Sequence, residues 1–181
     1  MTGKAQIITP DRSDARIAKC YEVFSYLRER FGLNGFTLLW YVYDGETPDV
    51  SFERTGTKFP LTPGCLGLCW YDEKNIFLNL RLIDNPVEMY FTLLHELTHA
   101  RNPTQRERLG IDGTELFCDI ISTVHLFMLK YVLPDVFRDE PDFQKKYEET
   151  ATKFLSRGYE AYKKWGYRVH FKLLNCNNLL R

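Results

Sequence analysis

Residues 95–99 read His-Glu-Leu-Thr-His. Residues four apart on an α-helix share one face, with Cβ atoms about 5–6 Å apart. Two imidazoles at 95 and 99 can therefore close on one metal ion with Zn–N bonds of about 2.0–2.1 Å. Glu96 lies about 100° further round such a helix than His95. From there it cannot join the clamp, but it can face a water that the ion polarises and take its proton as that water attacks a carbonyl. His95 and His99 are thus candidate ligands to Zn2+, one ion per chain, and Glu96 is the candidate catalytic base. Apolar neighbours (Phe91, Leu93, Leu94, Leu97, Ala100) predict that Glu96 is buried.

A catalytic zinc takes three protein ligands and keeps one position open. The stretch GTELFCDIISTVHLF, 113–127, sets Glu115 and Asp119 one turn apart on a helix that is otherwise strongly apolar. Two carboxylates in such surroundings are costly without compensation, and a divalent cation supplies it. Glu115 is read as the third ligand. Asp119 is read as the acid that holds the spare N–H of a ligand histidine, a common support for metal-bound imidazole. A competing reading of Glu115 is the third position of a capping box over 112–115. His125 falls on another face of that helix and reads as a packed histidine. Hydrolysis of a carbonyl also calls for an oxyanion-stabilising donor, and Tyr131, Tyr159, Tyr167 and His170 are the candidates.

The elements that must position these residues follow from periodicity. Residues 14–31 form an amphipathic helix, with Ile17, Cys20, Tyr21, Phe24, Leu27 and Phe31 at three- and four-residue steps. The apolar run 36–45 predicts a strand, 50–59 a second strand, and 67–82 a hairpin around Asp72–Asn75. Asn85, Pro86 and Glu88 give the N-cap, first position and capping box of a helix that reaches about Ala100 or Arg101. A polar loop is expected over 102–113, then a buried helix from Thr114 to Leu133 that Pro134 ends, then a helix over 141–164. The tail beyond it is compatible with a late strand. The order predicts an α+β fold in one domain, 1–181, with its core at about 14–133 and a helical C-terminal extension at about 135–181.

Composition narrows the function. The chain has 181 residues, 44% hydrophobic and 27% charged, enough for one well-cored domain. Lys+Arg and Asp+Glu are equal at 24 each, so no global field favours nucleic acid or a membrane surface. The first residues have no apolar core of a signal peptide, and reduced thiols in a cytoplasmic setting are expected for the five cysteines. Cys65 and Cys69 are read as packed strand residues. The expected partner is a peptide or protein substrate, with no membrane or nucleic acid.

Taken together, HELTH (95–99) and ELFCD (115–119) resemble the zincin metallopeptidases, and within them the gluzincins, in which His-Glu-x-x-His is followed on a later helix by Glu-x-x-x-Asp. The similarity covers about residues 60–133. The gap of fifteen residues between His99 and Glu115 resembles that of compact single-domain zincins, the ImmA/IrrE-like group and the minigluzincins. It implies a small, mostly antiparallel sheet, an active-site helix, a second ligand-bearing helix, and an edge strand that pairs with extended substrate; 75–82 is the candidate for a strand of that sheet. A fainter similarity to aspzincins would make Asp119 the third ligand. Two further readings stand beside a metalloendopeptidase: a zincin-like binding or regulatory module, and a latent protease blocked by its C-terminal segment, with Cys176 or an acidic residue at the open position.

Overall fold

The computed structural model describes residues 6–42, 49–51, 58–60, 65–138, 140 and 142–165. Asp14 starts helix α1, Ala15–Arg30, by accepting the Arg16 N–H on its carboxylate. The helix buries Ile17, Cys20, Val23, Phe24 and Leu27, the face that its three- and four-residue spacing predicts. It ends at Phe31 and Gly32, the latter at φ 68, the left-handed turn that glycine adopts at low cost.

A four-stranded mixed sheet follows. Its strands are β1 (Gln6–Ile8), β2 (Thr37–Val42), β5 (Gly67–Trp70) and β6 (Asn75–Asn79), in the order β1-β2-β6-β5. β1 is antiparallel to β2, β2 is parallel to β6, and β5 is antiparallel to β6 through the predicted hairpin. Leu38, Trp40, Ile76 and Leu78 face the main core, while Tyr41 and Phe77 alternate to a smaller cluster on the other side. β3 (Asp49–Ser51) and β4 (Lys58–Pro60) pair antiparallel as a separate ribbon, so 50–59 is not one continuous strand.

The candidate strand over 75–82 enters the sheet as β6 over its first five residues. β6 lies between β2 and β5, so its backbone groups are used on both sides, and the edge of the sheet on this side is β5. The chain leaves the sheet at Asn79, whose side chain accepts the Arg81 N–H and starts a 3-10 turn over Leu80–Asp84.

Helix α2, Pro86–Arg101, begins where its capping residues predict. Asn85 accepts the Glu88 N–H and donates through its amide to the Glu88 carboxylate, and Lys153 pairs with the same carboxylate. α2 is buried along most of its length and touches α1, the sheet and the two long helices beyond it. The first of these, α3, runs Gln105–Val132 and takes in most of the stretch read as a polar loop. Gly110 at φ 70, ψ −179 kinks it, so a glycine that punctuates the sequence joins two helical pieces instead of ending one.

α3 is also not buried all round. Phe117, Cys118, Asp119, Ser122, Leu126 and Leu129 face inward, and Ile120, Val124, Met128, Tyr131 and Val132 are exposed. A short α4, Pro134–Phe137, and a long α5, Phe143–Trp165, complete the described chain. No helix among the described residues is long and apolar enough to cross a membrane.

Phe91 ties α2 to α5. It is 1% exposed and stacks on Phe154 with centroids 4.3 Å apart, one turn before His95. Phe91→Ala is expected to cost about 3–5 kcal/mol of folding stability in urea unfolding. A loss below about 1 kcal/mol would mean that this contact does not fix α2.

Candidate metal centre

α2 and α3 pack side by side and bring their polar residues to one point. His99 Nε2 lies 3.0 Å from His95 Nε2. Glu115 places Oε2 3.1 Å from His95 Nε2 and Oε1 3.4 Å from His99 Nε2. The other nitrogen of His95, Nδ1, is 2.8 Å from Asp119 Oδ1. Bonds of about 2.0–2.1 Å in a tetrahedral site put neighbouring donors about 3.3–3.4 Å apart. The separations of 3.0, 3.1 and 3.4 Å, the last two to different oxygens of Glu115, are close to that edge length, so the donor set fits one small cation.

The electrostatics explain why the cluster needs positive charge. Asp119 orients the His95 ring through Nδ1, which leaves Nε2 turned toward His99 Nε2 and a carboxylate. Burial opposes charge on His95, but the hydrogen bonds to Asp119 and Glu115 outweigh it, and the ring is pushed up to about 10. Glu115 shows the complement. Burial disfavours its charge, yet the two imidazoles hold its carboxyl below the usual carboxylate range. Asp119 is pushed up by burial, which its bond to His95 only partly offsets, and the raised His95 ring keeps a proton among these groups. A divalent cation among the same donors would replace that proton.

Glu96 sits on the side of α2 that meets the sheet and is 8% exposed. Burial pushes its carboxyl up, against the opposing pull of His95 and His99 and of a hydrogen bond from the Cys69 N–H. β5 approaches it closely because residue 67 has no side chain. A Cβ there would lie 2.9 Å from Glu96 Cγ and Oε1 and 2.7 Å from Thr92 Cγ2. The edge strand, the Glu96 carboxylate and the donor cluster therefore lie next to one another.

His95, Glu96, His99, Glu115 and Asp119 are thus brought together. Thr114 is inside α3 with its hydroxyl donating to the Gly110 carbonyl, which removes the capping-box reading of Glu115. Tyr131 is not brought to the cluster. It is 64% exposed and packs on Phe127, three turns beyond Asp119. Tyr159 falls on α5, while Tyr167, His170, Cys176 and the tail strand lie outside the described residues. His125 packs edge-on against Phe31. Cys69 is a half-buried free thiol in β5, whereas Cys65, also free and half-buried, lies two residues before the strand.

One residue escaped the sequence reading. Cys118 offers its sulfur to the cluster, within 4.8 Å of one ring nitrogen each of His95 and His99. The signal was its spacing, three residues after Glu115, but a cysteine in an apolar helix reads first as core.

Comparison of the chain with protein-family models, with curated proteins and with solved structures finds no match. The site is therefore interpreted from its own geometry.

Gly67→Ala should force β5 or the Glu96 carboxylate to move, at a cost of about 1–3 kcal/mol from overpacking. Chemical denaturation measures this, and an unchanged midpoint would mean that the close approach of β5 to α2 is not needed.

Proposed function

We propose that this protein is a zinc-dependent metallopeptidase of the zincin class and gluzincin type. His95, His99 and Glu115 hold the ion, and Asp119 orients His95. The observation that carries the reading is the convergence of two imidazole nitrogens and one carboxylate within 3.4 Å, with the far nitrogen of His95 anchored to a fourth side chain.

When bound, the ion supplies Lewis acidity, lowering the pKa of a water and polarising a carbonyl. The chain does the rest. Glu96 takes the proton of the attacking water and returns it to the leaving amine, serving as base and then as acid, and burial raises its carboxyl from the usual range. β5 offers an edge strand on which an extended peptide can lie beside Glu96. Substrate would thus be held by backbone hydrogen bonds, with its scissile carbonyl beside Glu96.

Purified protein is expected to carry about one zinc per chain, and His95→Ala and Glu115→Ala to lose it. Zinc retained by Glu115→Ala would move the third ligand elsewhere. Zinc bound by none of them, even after incubation with the metal, would sink the reading.

Glu96→Gln should keep the zinc and lower hydrolysis of an unfolded protein substrate by about 10²–10⁴-fold. Equal loss of zinc and activity would show that Glu96 is structural.

Asp119→Asn should weaken zinc binding by about 10–100-fold in a chelator competition. An unchanged affinity would remove its orienting role.

A further inference from the structure

Cys118 brings to the cluster a chemistry that hydrolysis does not use. It is 1% exposed, three residues past Glu115 and one before Asp119, so it shares the inward face of α3. Its sulfur and one ring nitrogen each of His95 and His99 all lie within 4.8 Å of one another. In a four-coordinate zinc site with a bond to sulfur of about 2.3 Å, sulfur and nitrogen donors stand about 3.6 Å apart. The sulfur has to close by about 1.2 Å at most, a movement within reach of one side-chain rotation. The carboxylates of Glu115, Glu96 and Asp119 are within electrostatic range of the same thiol. A core cysteine has apolar neighbours, whereas this one has two imidazoles within 4.8 Å of its sulfur.

We propose that Cys118 is a fourth protein donor. As the sulfur–metal bond forms, the thiol proton passes to solvent. No oxidation or reduction is involved. The set His95, His99, Glu115 and Cys118 then fills a tetrahedral sphere, as structural zinc sites do and catalytic ones do not.

Two consequences follow for the hydrolytic reading, on which this inference rests. The resting chain is latent, because the thiolate must leave before water can be activated. The site also prefers thiophilic ions such as Zn2+ and Co2+ over Mg2+, Ca2+ or Mn2+, which favour oxygen donors.

The test uses the metal-stripped full chain titrated with Co2+. The expected result is a sulfur-to-cobalt charge-transfer band in the near ultraviolet, present in the wild type and in Cys69→Ser, and absent in Cys118→Ser, which still binds cobalt through its remaining donors. X-ray absorption of the zinc-loaded wild type should show one sulfur neighbour at about 2.3 Å, and this decides the matter even if Cys118→Ser does not fold. Cobalt bound with tetrahedral visible bands but no sulfur band would overturn the role of Cys118 and leave the metal centre standing. A sulfur band lost in Cys69→Ser and kept in Cys118→Ser would also overturn it. Failure of the wild type to bind either metal would overturn both readings.

Discussion

Atoms bearing lone pairs do not stay about 3 Å apart unless a proton or a cation lies between them. His95 Nε2, His99 Nε2 and the Glu115 carboxylate stand in that relation, and most of the fold around them serves to hold them there. Asp119 fixes the His95 ring from behind. α2 supplies both imidazoles from one face, and α3 supplies both acids from one face. Neither helix could carry these groups inward alone, since each set is costly to bury without the other.

The surrounding packing makes the approach rigid. α2 is enclosed by the sheet and by α1, α3 and α5. Phe91 locks it against Phe154 one turn before the first histidine, and the Asn85–Glu88 cap fixes where it begins. The glycine at 67 lets β5 rest directly on Glu96. The kink at Gly110 joins the two helical pieces of α3, so that the chain follows the turn at Asn102 and still presents Glu115 and Asp119 to α2.

The sequence was most informative where local chemistry sets the structure. α1 and α2 were legible because caps, proline and the spacing of apolar residues all agree. The His-Glu-x-x-His and Glu-x-x-x-Asp pairs were legible because one helical turn fixes which side chains can meet. Features that depend on distant neighbours were not. β1 is three residues long and pairs with β2 from across the chain, too short to show a period. The order of the sheet puts β6 inside and β5 at the edge, although the two read as equal arms of one hairpin. Charged residues and Gly110 disguised the first turns of α3 as a loop. The apolar run after Leu116 implied burial all round, where the neighbouring helices cover only one side. Cys118 was hidden because a cysteine among apolar residues has the composition of a core whichever way it faces.

Anomalous diffraction at the zinc edge, from crystals of the full chain grown with zinc, would test the convergence of these donors most directly. The predicted result is one zinc peak per chain, bonded to Nε2 of His95, Nε2 of His99 and a carboxylate oxygen of Glu115, with Asp119 still on Nδ1 of His95. The absence of a peak between the two helices, or a zinc ion bound without the two imidazoles, would contradict it.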